Sequence, residues 1–525
     1  MATRILKNLI DLASGTLVSR IFGFVRELVT AAYYGTNRAM DLFVIAFTIP
    51  AFFRQVLGED VVERAFMPPF KRLISIRKHE QGWRLLSNCL NLMILVLLIL
   101  TALLYLIAPI VVKLIAPGLE AEFMPRAVTM TYWILPFMFL IGLAAFAGGV
   151  LNFFEMNKIY SLAPAMMSVG VILGIVLFRS TLGIYALPAG FLLGALLELV
   201  IQIPFLFHRR IRHKTNACYY PRINFKEQGL KKVGSESGFI FLKSLLDKSV
   251  EIVDRILASF LITGSIASLW FAHRLILLPV AIVGLAISRS LIPFLTEKQA
   301  LLEEQQFISG VRLGIQLNFT LIIPTTMVMV VMAKPIITIV FQRGSFDAES
   351  TGLTAIAFWC YSAGLLGLSL NAFLSRMFSI FQKNRIPFYV AIISSLLNIV
   401  LNFLLVRTPL KHGGIALASS IAFTVSCVIL LLLLARELEH RLDLKMIVFD
   451  LGKIVFACTV LGLLNSLIYH SYLSVFAAKL TASIFLQNVF SLIVIILVSL
   501  ALFGGFIALA GPKEIRGHLL RIIRR

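Results

Sequence analysis

About fourteen runs of mostly apolar residues, each long enough to cross a bilayer as a helix and joined by short polar connections, constrain this chain more than any other feature. A hydrocarbon core about 30 Å thick takes about 20 helical residues per crossing. The runs fall near 11–34, 39–57, 87–112, 127–151, 160–178, 184–207, 238–262, 267–293, 312–340, 352–375, 387–406, 413–435, 447–469 and 486–510. With 59% hydrophobic and 14% charged residues in 525, the composition excludes a water-soluble globular protein. The expected fold is an all-α polytopic membrane protein. The first run is expected to stay in the chain, because it is too long for a cleavable leader, carries charges, and lacks a small-residue cleavage site.

The 48 Lys and Arg outnumber the 26 Asp and Glu, which raises nucleic acid as a partner. Their placement argues for topology instead. Basic residues crowd between runs 2 and 3 (Arg64, Lys71, Arg72, Arg77, Lys78, Arg84), between runs 6 and 7 (Arg209 to Lys232), and in the tail after Lys513. Alternate loops such as ITGSIAS, 262–268, carry no charge. The excess of Lys and Arg on one side places both termini and the basic loops in the cytoplasm, where they also meet anionic lipids. Five cysteines, Cys89, Cys218, Cys360, Cys427 and Cys458, are odd in number and scattered, so neither a disulfide framework nor a zinc site is expected.

The chain also repeats itself. At an offset of 229, Arg26, Leu28, Gly35, Thr36 and Pro50 align with Arg255, Leu257, Gly264, Ser265 and Pro279. Further on, FEMNKI (154–159) aligns with FQKNRI (381–386), and GIYAL (183–187) with GIALA (414–418). Six spans per repeat return the chain to the same side, so the halves are parallel repeats about an axis along the membrane normal, an arrangement suited to alternating access around a central cavity. The organisation read from this is an N-terminal six-helix lobe over 1–207, a basic linker over 208–237, a second six-helix lobe over 238–436, and two additional helices with a basic tail over 437–525.

Charges inside these runs need a reason, since an Arg at a helix centre costs about 2.5–3.5 kcal/mol on insertion. Runs 1 and 2 carry Arg20, Arg26, Glu27, Asp41 and Arg54; run 7 carries Lys243, Asp247, Lys248, Glu251, Asp254 and Arg255; run 8 carries His273 and Arg274. Arg54 and Arg274 lie near span ends, where snorkelling to the headgroups is the plain alternative. Arg20 and Arg26 are about 9 Å apart along an ideal helix and on different azimuths; Gly23 between them permits a bend toward one cavity. The acids Glu27, Asp41 and Asp254 are available to neutralise arginines when no cargo is bound. Guanidinium forks bind phosphate oxygens bidentately and stay charged, so an Arg-lined cavity predicts an anionic, phosphorylated cargo.

Asn398 and Asn402 share a helix face on run 11, and with Asp254 they offer oxygen ligands for a small cation such as sodium. The competing reading is interhelical hydrogen bonding by the asparagines and local pairing of Asp254 with Arg255 or a lysine. No other cofactor is indicated. No GxxxxGK[ST] loop occurs, so ATP hydrolysis is not expected to drive transport, and an enzyme is not expected. Gly170 and Gly174 form a GxxxG in run 5 that favours close helix packing.

The motifs SRIFGFVREL, AAYYG, MDLFVIAFTIPAFFR, AFMPPF, VDRILASFLITGS, AHRLILLP, FQRGSFD, LSRMFSIFQKNRIPF and HGGIALASS together resemble the MurJ (MviN) lipid II flippase family of the multidrug/oligosaccharidyl-lipid/polysaccharide exporter superfamily. The resemblance covers nearly the whole chain. It implies a bacterial inner-membrane carrier of the undecaprenyl-pyrophosphate-linked peptidoglycan precursor, lipid II, with cell-wall synthesis proteins as further partners. It assigns substrate-binding roles to Arg20, Arg26, Arg54 and Arg274, to Asp41, and to Ser19 and His273 beside two of these arginines, and a polyprenyl-tail groove to the last two spans. The chain departs from the family pattern at Gln55, at GED (58–60) and at His273, where an imidazole that ordinarily titrates near neutral pH replaces an aspartate. Exporters of other polyprenyl-linked sugars or of drugs, and a non-transporting scaffold for lipid-linked precursors, are the rival classes.

Overall fold

The computed structural model describes residues 2–208, 219–221, 223–224, 228–439, 441–475, 493, 496–499, 501–507, 511–512 and 516. Cys218, linker residues 209–218, much of the last span and most of the basic tail lie outside these residues. The described secondary structure is helical throughout: α1 (Ala2–Tyr34), α2 (Arg38–Phe53), α3 (Met67–Ser75), α4 (His79–Ile115), α5 (Met124–Phe153), α6 (Asn157–Leu182), α7 (Ala186–Leu206), α8 (Gln228–Ala258), α9 (Ser265–Ala300), α10 (Glu304–Val331), α11 (Ala333–Phe341), α12 (Ala348–Ser362), α13 (Leu365–Ile380), α14 (Arg385–Leu405), α15 (His412–Glu437) and α16 (Leu444–Val475), then a short apolar helix at Ile496–Ile507. Among the described residues, nine helical runs are long and apolar enough to cross a membrane, or ten if a bent pair counts as one. Helices are what hydrocarbon demands, because each peptide group must find its partner inside its own segment.

Two spans differ from their expected form. The run at 352–375 is not one helix: α12 and α13 meet at 45° across Ala363 and Gly364. Close packing accounts for the glycine, since a Cβ at Gly364 would lie 2.4 Å from the Cα of Ser420. The run at 39–57 extends beyond its expected end, because α2 passes into a wider π-helical stretch, Arg54–Phe66, before α3 begins.

By packing, the chain forms two units, one of Met1–Ala267 with Arg343–Phe346 and one of Ser268–Gln342 with Asp347–Arg525. This boundary falls beyond the basic linker, because α8 packs on the first unit. Ser244 Oγ donates to Asp60 (3.1 Å), Ser259 Oγ accepts from the Gly118 amide (3.0 Å), and Gly229 lies against Leu85. The segment 343–346 joins the same unit through backbone contact, with the Ser345 amide donating to Ala32 O at 2.7 Å. Gly35 and Gly344, both at positive φ, permit this approach; a Cβ on either would meet a carbonyl oxygen within 2.3 Å.

In the first unit α6 and α7 meet through paired glycines. A Cβ at Gly170 would lie 2.3 Å from Gly194 Cα, and one at Gly174 2.2 Å from Gly190 Cα, so the motif read on one helix has a reciprocal GxxxG on its neighbour. An aromatic group of Phe43, Phe47, Phe137 and Phe191 fills the space beside them. In the second unit one apolar core runs from α9, α10 and α13 through Ile454 and Cys458 of α16 to Phe503 and Ile507. The additional helices are thus part of this core. They are pinned by polar bonds, Gln316 Nε2 to Asp450 Oδ2 (2.8 Å) and Asn465 Nδ2 to Ser499 Oγ (2.7 Å). Cys89, Cys360, Cys427 and Cys458 are buried free thiols.

The halves also repeat their backbone turns. Left-handed residues pair as Gly35 with Gly264, Arg77 with Leu302, Glu155 with Gln382, and Gly183 with Lys411, at separations of 229, 225, 227 and 228 residues. Arg77, Leu302, Glu155 and Gln382 each close a helix through the same six-residue bond, Lys78 N to Leu73 O, Glu303 N to Lys298 O, Met156 N to Leu151 O, and Lys383 N to Phe378 O. Gly183 (φ 57, ψ −124) and Lys411 (φ 48, ψ −113) share an unusual conformation that suits glycine and strains lysine. Lys411→Gly is therefore expected to raise unfolding stability by about 1 kcal/mol, measured as the thermal midpoint in detergent, whereas Lys411→Ala should give no gain.

Asp347 caps α12, its carboxylate accepting from the Ser350 amide at 2.8 Å. That backbone bond, first among the causes, holds its carboxyl below the usual aspartate pKa. A depressed folded pKa stabilises above the unfolded value, near 3.9, and the gain is lost as pH falls through the folded value. Asp347→Ala should cost about 1 kcal/mol at neutral pH, and the difference from wild type should shrink in melting curves taken below about pH 3.9.

Candidate functional site

Helix α1 presents Arg20 and Arg26 to different surroundings. Its residues advance about 100° each, so Arg20 and Arg26 diverge by about 120°. Arg20 is exposed and Ser19 half-buried, whereas Arg26 and Glu27 are both buried. Arg26 Nη2 donates to Glu27 Oε1 at 2.7 Å, and the guanidinium lies 5.6 Å from the ring centre of Phe191 on α7. Adjacent helix residues do not normally face each other; the long arginine folds back, and the pair enters the apolar interior with its charge compensated. The helix runs unbroken past Gly23, with no break that would turn both arginines to one side.

Asp41 is buried on α2, and both carboxylate oxygens bind backbone. Oδ2 accepts from the Gly264 amide at 2.6 Å and Oδ1 from the Ala267 amide at 2.8 Å. These are amides at the start of α9, so a side chain 223 positions earlier caps that helix. Arg38 and Arg255 supply compensating charge nearby. Arg38 itself pairs with Glu120 and stacks over Phe123. Arg54 stands half-buried at the junction of α2 with the π-helical stretch. Such stretches are rare and frequently occur at functional sites.

In the second unit, α9 carries His273 and Arg274, both half-buried. The Arg274 guanidinium sits 4.3 Å from the ring centre of Trp270, one turn earlier. His273 faces Tyr361 of α12, ring centres 5.4 Å apart. The stacked Trp270 fixes the plane of the guanidinium fork. Sequence reasoning passed over Trp270 and Tyr361; the i,i+4 spacing of Trp270 and Arg274 was the available signal for the first, while nothing local marked the second.

The candidate oxygen ligands belong to elements of both units. Asp254 is half-buried in the first unit, while Asn398 and Asn402 are buried in the second. Asn402 Nδ2 donates to Asn398 Oδ1 (2.8 Å) and Asn398 Nδ2 to Ser419 Oγ (3.1 Å). One of the two amide oxygens is thus already an acceptor within the helix pair. Among the described residues, no group of three His, Cys, Asp or Glu could hold a metal ion.

These features sit in a chain with clear relatives. The family model for lipid II flippase MurJ matches residues 30–504. A probable lipid II flippase MurJ of Buchnera aphidicola subsp. Acyrthosiphon pisum is 28% identical over 441 residues, covering 83% of this chain and 84% of its own. The lipid II flippase MurJ of Burkholderia cenocepacia is 27% identical, covering 81% and 83%. A solved lipid II flippase MurJ in an inward closed conformation superposes with TM-score 0.78 at 22% identity, over 98% of this chain and 99% of that one. An inward-facing multidrug resistance MATE transporter of the MOP superfamily superposes with TM-score 0.68 at 14% identity, over 82% and 98%, a likeness of fold. With a match running from the end of its first helix almost to the end of its last, the chain belongs to the lipid II flippase MurJ family.

Proposed function

We propose that this protein moves lipid II from the cytoplasmic to the periplasmic leaflet of the bacterial inner membrane by alternating access, without ATP hydrolysis and without covalent catalysis. The observation that carries the reading is the family match over residues 30–504, in a fold whose apolar helices carry built-in guanidinium groups. Arg20 and the Trp270-stacked Arg274 are the groups that meet the pyrophosphate, with Ser19 and His273 beside them and Arg54 at the helix junction. Arg26 and Asp41 act through position: the first is neutralised by Glu27, and the second holds the start of α9. Both termini face the cytoplasm, and anionic lipids and cell-wall synthesis proteins are the further partners. The additional helices α16 and 496–507 take the polyprenyl tail.

Charge supplies a driving force. An interior-negative potential favours outward movement of an anion by about 2.3 kcal/mol per charge per 100 mV, and returns an emptied, positive carrier inward. A sodium ion at Asp254, Asn398 and Asn402 would be held by one carboxylate and two amide oxygens, and sodium dependence is a separate arm of the test.

In proteoliposomes, labelled lipid II is expected to change leaflets, and Arg20→Ala or Arg274→Ala should slow it at least tenfold. Arg274→Lys, which keeps charge but loses the planar fork, should fall between. Equal rates in all variants would overturn the reading, and transport of a drug cation with no transport of lipid II would favour an exporter of the multidrug kind. Imposing an interior-negative potential should accelerate outward movement, and collapse of the potential should abolish that acceleration; a rate indifferent to potential contradicts the electrical coupling.

A further inference from the structure

A cavity of about 1280 Å³ in the first unit is lined by α3, the start of α4, Tyr220, Pro221 and Asn224, and the start of α8, and by none of the arginines of α1 and α2. Its construction is specific. The polar face of α4 holds the backbone of the connecting segment: the Tyr220 amide donates to Ser87 Oγ (3.0 Å), Asn91 Nδ2 donates to Tyr220 O (3.1 Å), and the Asn224 amide donates to Asn88 Oδ1 (2.9 Å). Tyr220 is thereby fixed as a wall, and Arg84 stacks over its ring at 5.5 Å while pairing with Glu80. A polar row on α4 that interhelical packing does not use is accounted for by this clasp.

The opposite wall is amphipathic. Helix α3 buries Met67 and Phe70 and turns Arg72 outward, with Leu73 and the exposed Ile76 beside it. The chain then reverses through left-handed Arg77, which brings Lys78 to the cavity rim at the N-terminus of α4, whose first amides have no side-chain cap. Among the described residues, Arg72, Lys78 and Arg84 line the cavity against one acid, Glu236. Neither Arg72 nor Lys78 has an ion-pair partner among the described residues. Two cations thus share the cavity lining with the apolar Pro68, Pro69, Leu73 and Ile76, and Lys78 stands at the positive end of α4.

Depth decides the class of ligand. Arg84 lies eight residues, about 12 Å of helix, before Leu92, where the uninterrupted apolar run of α4 begins. That is headgroup level, on the side where basic residues concentrate. An anion reaching this site with an apolar portion to cover Leu73 and Ile76 is a phospholipid. We infer that the cavity between α3, α4 and residues 219–224 binds the phosphate of an anionic glycerophospholipid of the cytoplasmic leaflet, through Arg72 and Lys78. The inference rests on the basic loops facing that leaflet and is independent of lipid II being the cargo.

The test uses the full chain in delipidated detergent solution, with thermal stability titrated against dihexanoyl-phosphatidylglycerol, dihexanoyl-phosphatidylcholine, inorganic phosphate and hexaglutamate. Phosphatidylglycerol is expected to raise the melting temperature saturably, phosphatidylcholine and phosphate to have little effect, and Arg72→Gln with Lys78→Gln to raise the half-saturating concentration at least tenfold. Because both side chains are exposed and make no described ion pair, the double variant should melt as wild type without lipid; Gln81→Ala serves as a second variant at the rim that should leave binding unchanged. Equal response of wild type and double variant, equal response to phosphatidylcholine, saturation by phosphate alone, or stronger binding of hexaglutamate would each overturn the assignment. Leaflet transport of lipid II is measured separately, so loss of one result leaves the other standing.

Discussion

Hydrocarbon offers no partner to a peptide group and no solvation to a charge, and the structure follows from those two absences. The first forces nearly every segment into helix. The second means each ionised side chain within the helices must be compensated, be reachable by water, or be functional. Arg26 with Glu27 and Asp41 with the amides of α9 are compensated inside the protein. Arg20 is exposed, and Arg274 is stacked but not neutralised by that stack.

The apolar runs and the repeat were legible because each rests on a local property. Hydropathy over about 20 residues reports a crossing, and the matched motifs FEMNKI and FQKNRI report a shared helix closure around Glu155 and Gln382. The turn at Gly183 and Lys411 shows that the backbone can persist where sequence does not, since lysine occupies a conformation suited to glycine. Sequence comparison understates the repeat at such positions.

What escaped the sequence depends on tertiary contact. Apolar composition runs straight through Ala363 and Gly364, and only the approach of Ser420 marks the bend there. The π-helical stretch after Arg54 has no periodic signature that separates it from an α-helix of the same residues. Asp41 read as a possible counter-charge for an arginine, yet it caps a helix far along the chain, a role fixed by which backbone amides the fold brings to it. The asparagines read as cation ligands or as helix glue, and the bond from Asn398 to Ser419 is visible only once α14 and α15 are packed.

The central claim is that an arginine in the middle of an apolar helix stands in water along a transport path. Its most direct test is aqueous accessibility of Arg20→Cys in a variant whose five native cysteines are replaced, probed with membrane-impermeant thiol reagents applied separately to each face. Labelling from water, slowed when lipid II is added, is the expected result. A thiol at that position unreactive from both faces would place Arg20 against acyl chains and contradict the claim.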